Sequence, residues 1–276
     1  MSALKRVAVI VPAYNVEKHI CGVVSTIPLL VEKIIVVDDG STDRTVDEVL
    51  SLHDPRLILL RHERNRGVGA AMVTGYTKAV DLDMEVLVKM DGDGQMRPEH
   101  LPGLVRPLVA GEAHYAKGNR FTDYKSLEKM PSLRRLGNVL LSFSTKLVSG
   151  YWNIFDVTNG YTAMLAETFQ KLDLKDIGRG YFFEISMLVE LNIAGARVVD
   201  IDMPSHYAGE KSNLRLSRVA GSFPLLMAKC LIRRFYRRYM VRDFSVLSIC
   251  VLTGLPLFLM GLFRGLWIWM LLLRIM

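Results

Sequence analysis

Short β-branched runs alternate with helix-like stretches in the N-terminal part of the chain, and this alternation restricts the possible fold more than any other feature. The runs are RVAVIV (6–11), KIIVVD (33–38), RLILL (56–60) and EVLVKM (85–90), and the helix-like stretches lie near 16–27, 43–51 and 67–80. Strands separated by helices in this way form a parallel sheet. Because the runs are almost continuously apolar, we expect helices on both faces and a ligand site at the carboxyl ends of the strands.

Beyond residue 98 the periodic pattern is looser. Helices are predicted near 98–109, 132–147 and 182–193, and a further strand near 196–201. The sequence therefore predicts an α/β fold with a mostly parallel central sheet, and we expect one domain over residues 1–213.

The net charge of +7 is concentrated in a segment that follows this domain. Residues 211–242 contain nine Lys and Arg and no acidic residue, so the remainder of the chain is slightly acidic. Five apolar residues recur there at helical spacing opposite the arginines: Phe223, Leu226, Met227, Cys230 and Leu231. We expect residues 214–243 to form basic amphipathic helices at a membrane interface, with cations toward anionic headgroups. A helix packed on the domain is compatible with the same pattern.

Residues 244–263 follow directly as twenty residues without a charge. A spanning helix needs about 20 predominantly apolar residues, so this stretch is predicted to cross a membrane. Lys and Arg just before a span are typical of its cytoplasmic side, which places residues 1–242 in the cytoplasm, at the cell (inner) membrane. Residues 265–273 are apolar but too few to cross, and we expect them to begin a second, incomplete span within a transmembrane segment over 244–276.

Polar residues follow three of the predicted strands where each strand ends. VPAYN (11–15) ends the first, DDGSTD (38–43) the second and DGDGQ (91–95) the fourth. The carboxyl ends of parallel strands meet at one edge of a sheet, so the three tips should converge. Turn formation and helix capping account for Asp43 alone, but not for the consecutive acids Asp38 and Asp39.

The alternation in DGDGQ has the ligand types of a divalent-cation site. An EF-hand loop needs glycine at its sixth position and glutamate at its twelfth, and this chain has methionine and proline there. A dinucleotide-binding site is a poor match, because GVGAAM (67–72) lacks the third glycine and does not follow the first strand. Asp91 and Asp93, with the amide oxygen of Gln95, can instead ligate Mg²⁺ or Mn²⁺ and leave positions open for substrate phosphates.

Together, VPAYN, VVDDGSTD and MDGDGQMRP resemble the motifs of the family 2 inverting glycosyltransferases with the GT-A fold. The chain is most similar, over residues 6–215, to the branch of dolichyl-phosphate mannose synthase and the polyprenyl-phosphate glycosyltransferases. The resemblance implies that Asp91 and Asp93 bind the metal and the donor diphosphate, with Gln95 as a further ligand. It also implies a donor-binding set at the sheet edge: Pro12, Ala13, Tyr14, Asn15, Asp38, Asp39, Asp91 and Gly67.

Four later segments match this branch less closely. They are GNRF (118–121), DVTNGYTAM (156–164), YFFEISML (181–188) and HYAGEKSNLR (206–215). Asn159 and Thr162 replace the Ser and Arg usual in the second segment, and Lys211 precedes the serine of the last instead of following it. No Gln-x-x-Arg-Trp sequence occurs, which argues against the processive polysaccharide synthases.

The acceptor decides whether the transfer needs a general base. A sugar hydroxyl must lose a proton, and Asp156 and Glu184 are the candidate bases. A lipid phosphate, with a second pKa of about 6, is already mostly a dianion at pH 7. Arginine forks match phosphate oxygens, and four cations are candidates for holding an acceptor phosphate: Arg120, Arg134, Lys211 and Arg215.

These arguments predict a membrane-anchored, metal-dependent enzyme that moves a hexose from a nucleotide-diphosphate sugar to undecaprenyl or dolichyl phosphate. Asp93, Asp156 and Arg120 are the catalytic candidates. Transfer to a hydroxyl of a glycolipid or sugar, in cell-envelope polysaccharide synthesis, is the alternative. Intact Asp91, Asp93 and Gln95 argue against a non-catalytic binder. Nucleic acid is not an expected partner, because the basic segment abuts a span and lacks interleaved aromatic residues.

Overall fold

The computed structural model describes residues 5–120, 132–157, 159–180, 182–203 and 216–275. The chain divides into two compact units, Met1–Leu231 and Ile232–Met276. The described part of the first unit is a β-sheet with helices packed on it. The described part of the second is a helical segment that contains one long apolar helix.

Seven strands form one sheet in the first unit. They are β1 (Val7–Ala13), β2 (Lys33–Asp38), β3 (Leu57–Arg61), β4 (Val86–Lys89), β5 (Tyr115–Asn119), β6 (Thr162–Leu165) and β7 (Val198–Asp202). Their order across the sheet is β3-β2-β1-β4-β6-β5-β7, and of these seven only β6 runs antiparallel to its neighbours. The mostly parallel α/β sheet expected from the sequence is confirmed.

Helices connect and cover these strands. They are α1 (Ile20–Thr26), α2 (Thr45–Leu50), α3 (Val68–Asp81), α4 (Leu101–Val109), α5 (Ser132–Ser149), α6 (Ala166–Phe169), α7 (Phe183–Ala194) and α8 (Leu216–Arg234), with short 3₁₀ turns at Pro98–His100 and Leu174–Asp176.

Both faces of the sheet are buried. Val9 and its face neighbours pack with residues of α1 and α4, including Val24 and Leu104. Ile10 and the residues beside it on the opposite face pack with α3 and α7, including Met72. A strand buried on both faces has no polar alternation, which explains the continuous apolar runs of β1, β2 and β4.

Most predicted elements coincide with observed ones, but two strands were not predicted. Strand β5 has the sequence YAKGN, in which a lysine and a glycine interrupt any apolar pattern, and β6 has only four residues. Both are held by their neighbours rather than by strong strand propensity, because β6 pairs with β4 on one side and with β5 on the other.

Helix α8 packs against the domain through its apolar residues. Phe223, Met227, Cys230 and Leu231 join a cluster with residues of α5 and α7, and the rings of Phe182 and Phe223 lie edge to face at 5.3 Å. Four of the five apolar residues that the sequence analysis assigned to a membrane interface therefore lie against the protein. The fifth, Leu226, does not belong to this cluster. The apolar stripe of this helix binds the apolar surface that its own domain offers. An interfacial position for residues 214–243 stays a prediction.

The second unit contains a π-helical segment, Phe235–Arg242, and helix α9, Val246–Ile275. Helix α9 contains, within Val246–Leu273, an 18-residue window with a mean hydropathy of 2.3 of which 6% is buried, so this helix is a candidate membrane span. The helix continues through Arg264, and the division of residues 244–276 into one span and an incomplete second stays a prediction. Arginine is a good helix former, and its long side chain can reach a polar boundary without breaking the helix.

The contact of α3 with β1 gives a stability prediction. A Cβ added at Gly75 would lie 2.4 Å from Cγ2 of Ile10, whereas one added at Gly22 in α1 meets nothing within 4 Å. We expect Gly75→Ala to destabilise the protein by roughly 1–3 kcal/mol through overpacking. Gly22→Ala, the matched control, should stabilise it by about 0.5–1 kcal/mol through helix propensity. Thermal unfolding of the full chain in detergent measures both, and equal shifts would contradict the described packing.

Candidate active site

Hydrogen bonds join the loops that follow β1 and β2. The N–H of Asp39 donates to the carbonyl oxygen of Ala13 at 2.8 Å, and the N–H of Asn15 donates to Oγ of Ser41 at 2.9 Å. Asn15 has a φ of 55°, and its Oδ1 accepts from the N–H of Thr42 at 2.9 Å. The two motif loops therefore form one connected edge, as the sequence predicted.

Asp38 is fully buried beneath this edge. Its Oδ1 accepts from the N–H of Ser41 at 3.1 Å, and its Oδ2 lies 3.3 Å from Nε of Arg61. Pro12 is half-buried, while 47% of Tyr14 is exposed. Tyr14 is thus more open to a ligand than Asp38.

Asp39 anchors the loop between β3 and α3. Its Oδ1 lies 2.6 Å from Nδ1 of His62 and accepts from the N–H of Arg66 at 2.9 Å, and its Oδ2 accepts from the N–H of Gly67 at 2.7 Å. The Nε2 of His62 lies 3.0 Å from Oγ1 of Thr74. The predicted contact of Asp39 with a base or ribose stays a prediction. The sequence analysis missed His62, for which no motif gave a signal.

Gly67 meets a backbone requirement. Its φ is 91°, and an added Cβ would lie 2.4 Å from the carbonyl oxygen of Arg179. The N–H of Gly69 donates to that same oxygen at 2.7 Å. Glycine at 67 therefore lets the start of α3 dock on the loop that precedes α7.

The end of β4 carries a buried ion-pair cluster. Only 2% of the Lys89 side chain is exposed, and its Nζ lies 2.7 Å from Oδ1 of Asp91 and 3.4 Å from Oε1 of Glu184 in the first turn of α7. Burial acts to lower the pKa of Lys89, but the two carboxylates outweigh burial and raise that pKa above its ordinary value. Lys89 is therefore a permanent cation beneath the predicted metal site.

Asp91 and Asp93 belong to one tight turn. The N–H of Gln95 donates to Oδ1 of Asp93 at 3.0 Å, and Gly94 between them has a φ of 80°. The carboxylates and the amide are the hard oxygen donors that Mg²⁺ or Mn²⁺ takes, so these residues fit the expected metal. The described parts of the chain contain no group of three His, Cys, Asp or Glu that could hold a metal by itself.

Gly160, just before β6, leaves room for this cluster. A Cβ at this position would lie 2.2 Å from Nζ of Lys89 and 2.7 Å from Oδ2 of Asp91. Any other residue at 160 would displace the ammonium, the carboxylate or both.

A second buried lysine lies on the same face of the sheet. Lys89 and Lys117 are both register partners of Thr162, so the three residues lie side by side across β4, β6 and β5. Lys117 is fully buried and donates to the carbonyl oxygen of Asn159. Burial lowers the pKa of Lys117 to about 8, although Glu184 and then Asp156 act to raise it.

Arg120 and Asp156 form a two-point ion pair at the far end of this row. Nε of Arg120 donates to Oδ2 of Asp156 at 2.7 Å and Nη2 of Arg120 donates to Oδ1 at 3.2 Å. The N–H of Asn159 also donates to Oδ1, at 3.1 Å. Asp156 is fully buried. Burial acts to raise the pKa of Asp156, but its hydrogen bond with Arg120 and that residue's charge bring it below the ordinary value.

Several predicted residues lie outside the described parts. The side chain of Arg134 and the whole of Lys211 and Arg215 are among them. Lys89 and Lys117 are the functional candidates that the sequence analysis missed. Their signal was a lysine inside or at the end of an otherwise buried strand, where a charged residue requires a partner.

Comparisons with known proteins agree with this arrangement. The sequence model described as glycosyl transferase family 2 matches residues 8–173.

The chain belongs to glycosyl transferase family 2.

Curated relatives of this glycosyltransferase act on polyprenyl phosphates, by their names. It is 34% identical over 174 residues to the UDP-N-acetylglucosamine–dolichyl-phosphate N-acetylglucosaminyltransferase of Methanococcus voltae, covering 58% of this chain and 69% of that protein. It is 30% identical over 224 residues to the polyprenol monophosphomannose synthase of Mycolicibacterium smegmatis, covering 79% and 82%. It is also 29% identical to the undecaprenyl-phosphate mannosyltransferase of Micrococcus luteus, covering 71% and 82%.

Solved structures of glucosyl-3-phosphoglycerate synthase from Mycobacterium tuberculosis share the fold. The complex with uridine diphosphate superimposes with a TM-score of 0.62 at 22% identity, over 84% of this chain and 82% of that chain. Another complex of that enzyme contains Mn²⁺, uridine diphosphate and glucosyl-3-phosphoglycerate, with a TM-score of 0.59 at 21% identity. At this identity the likeness supports the GT-A-like fold alone.

The contacts at Gly160 give a prediction about the site. In Gly160→Ala the new methyl group should displace the Asp91 carboxylate, together with the ammonium that it binds, by about 1 Å and weaken Mn²⁺-supported binding of UDP or GDP at least tenfold. The displaced atoms end flexible side chains, so the fold should survive. Gly180→Ala, where a Cβ meets nothing within 4 Å, is the matched control. Titration calorimetry with both nucleotides measures the effect, and equal affinities in the two variants would contradict the described geometry.

Proposed function

We propose that this glycosyltransferase is anchored in the cell membrane and moves a hexose from a nucleotide-diphosphate sugar to a polyprenyl phosphate on the cytoplasmic face. Three relatives with named activities use a polyprenyl or dolichyl phosphate acceptor, by their names. The observation that carries the proposal is that both candidate bases, Asp156 and Glu184, are paired with cations.

Both candidate bases are paired with cations. Asp156 is bound at two points by Arg120, and Glu184 lies 3.4 Å from the Lys89 ammonium and within electrostatic range of Lys117. Burial acts to raise the pKa of Asp156, but Arg120 brings it below the ordinary value, and Glu184 is held in an ion pair, so neither carboxylate is free to act as the general base for a sugar hydroxyl. An acceptor phosphate needs no deprotonation, so the site fits a phosphate better than a hydroxyl.

The donor would lie at the edge formed by the β1, β2 and β4 loops. Asp91, Asp93 and Gln95 would hold Mg²⁺ or Mn²⁺, which supplies Lewis-acid stabilisation of the charge on the departing nucleoside diphosphate. The fold neighbour was crystallised with Mn²⁺ and with Mg²⁺, in each case together with uridine diphosphate, by the descriptions of its structures. Those cations belong to that enzyme and support metal use here by analogy.

Arg120 is the described cation best placed for an acceptor phosphate. The Arg120 side chain is 38% exposed, and Asp156 fixes the orientation of its guanidinium group. An oriented, partly exposed guanidinium can bind phosphate oxygens at low entropic cost. Roles for Arg134, Lys211 and Arg215 on the same side stay predictions.

An exposed apolar surface lies beside this acceptor side. We call the α5 patch the exposed apolar side chains of α5 and of the following loop: Val139, Leu140, Phe143, Leu147, Trp152 and Phe155. The rings of Phe143 and Trp152 meet edge to face at 6.1 Å, and Nζ of Lys146 lies 3.9 Å from the centre of the Phe155 ring. Phe155 directly precedes Asp156, so the patch reaches the Arg120–Asp156 pair. Apolar surface with a cation at its margin suits a prenyl chain entering from a bilayer.

The acceptor class can be tested by product analysis. Membranes containing the full chain should transfer label from a panel of nucleotide sugars into the lipid phase with undecaprenyl or dolichyl phosphate, and not with the matching polyprenols. Excess EDTA should abolish the transfer, and Asp93→Asn should remove most of it, because a carboxamide is a weaker ligand for a hard cation. Transfer to the polyprenols or to a sugar hydroxyl instead would refute the phosphate acceptor.

The α5 patch gives a separate prediction. The double variant Phe143→Ser, Trp152→Ser should lower transfer to membrane-borne polyprenyl phosphate at least tenfold, since burying one such side chain contributes roughly 1.5–3 kcal/mol. Transfer to a short-chain, water-soluble prenyl phosphate should change little. Leu29→Ser, Leu50→Ser is the matched control, because both leucines are exposed on other parts of the domain. An equal loss with both acceptors would show that the patch acts on folding or catalysis rather than on lipid binding.

A further inference from the structure

Lys89 and the predicted metal compete for the same carboxylate. The ammonium lies 2.7 Å from Oδ1 of Asp91, and Gly160 keeps the space beside Oδ2 free of a side chain, since a Cβ there would fall at 2.7 Å. The Lys89 side chain is 2% exposed and that of Asp91 is 31% exposed, so water reaches the carboxylate but hardly reaches the ammonium. Because one of its oxygens is engaged by this cation, Asp91 presents less effective negative charge to a metal than an unpaired aspartate would.

Asp93 is the other carboxylate of the predicted metal set, and Gln95 adds only a neutral oxygen. No three acidic, His or Cys side chains in the described ranges form a group able to hold a metal. Glu184, a further carboxylate of the ion-pair cluster, is also paired with Lys89, at 3.4 Å. With Asp91 paired to Lys89, the protein alone offers a cation little net negative charge, and a bound anion would add to it.

We propose that Lys89 makes divalent-cation binding conditional on the donor: the buried ammonium keeps the metal site weak until the diphosphate of the nucleotide sugar supplies the missing charge and ligands. The inference rests on the proposed metal and donor site at Asp91 and Asp93. Lys89 is a positioning residue in this scheme, since it acts through Asp91 and not on the substrate. The consequence is that metal and donor bind cooperatively.

The charges make opposite predictions for the removal of Lys89 and the removal of Glu184. Removing the ammonium in Lys89→Met leaves Asp91 and Glu184 unneutralised and should strengthen Mn²⁺ binding without nucleotide at least tenfold, with a smaller gain when nucleotide is present. In Glu184→Gln the Lys89 ammonium has only Asp91 as a carboxylate partner, so it neutralises Asp91 more completely. This variant should therefore bind Mn²⁺ more weakly in the absence of nucleotide. A structural role for Lys89 would not produce opposite signs.

The test is Mn²⁺ titration of the full chain in detergent, with free Mn²⁺ measured by electron paramagnetic resonance. Wild type, Lys89→Met, Glu184→Gln and the surface control Lys171→Met are each titrated alone and with UDP or GDP. Wild type and the control should bind Mn²⁺ more tightly with nucleotide than without it. Thermal unfolding shows whether each variant is folded, and Glu184→Gln provides the comparison if Lys89→Met is not.

Different results overturn different statements. If wild type binds Mn²⁺ with nucleotide but Lys89→Met binds it no more tightly than wild type without nucleotide, the conditional site is wrong and the proposed function stands. The same holds if Glu184→Gln binds nucleotide-free Mn²⁺ more tightly than wild type. If wild type binds no Mn²⁺ with either nucleotide, both the inference and the metal-donor site fail.

Discussion

The candidate site depends on the ion pairs that the buried ammonium of Lys89 forms with Asp91 and Glu184. An isolated charge in this position would be too costly to bury, so it requires carboxylates from two other segments. Asp91 comes from the loop after β4, and Glu184 from the start of α7. Their convergence brings the end of a central strand and the first turn of a covering helix together, and the room they need excludes a side chain at residue 160.

A row of charges extends this cluster toward the acceptor side. Lys89 and Lys117 flank Thr162 on three adjacent strands, and Lys117 lies within electrostatic range of Glu184 and Asp156. The end at the predicted metal site holds Asp91, and the other end holds the Arg120–Asp156 pair. Asp91, Glu184 and Asp156 are thereby each paired with a cation. Such a site is preorganised to hold anionic groups in place.

The sequence predicted the parts of the fold in which local pattern and burial agree. Strands β1, β2 and β4 are continuous apolar runs, and their tips carry recognisable motifs, so both the elements and their convergence could be predicted. Strands β5 and β6 could not be predicted. In β5 a lysine, Lys117, whose contacts lie in the site, interrupts the apolar pattern, and β6 has only four residues. The roles of Lys89 and Gly160 depend on contacts across three segments, and no periodicity within one segment shows such contacts.

Helices α5 and α8 show why amphipathic pattern alone does not locate a membrane surface. Both have apolar residues at helical spacing, and in α8 most of the residues assigned to lipid pack on the domain. Helix α5 has apolar residues on two sides: Val148 and Leu141 pack in the same cluster, whereas Leu140 and Phe143 are 64% and 55% exposed. A helix needs one apolar side to pack on its domain, so only the second side requires another partner. The apolar surface left over after folding, and not the total in the sequence, is what a lipid can bind, and it lies on α5 beside Asp156.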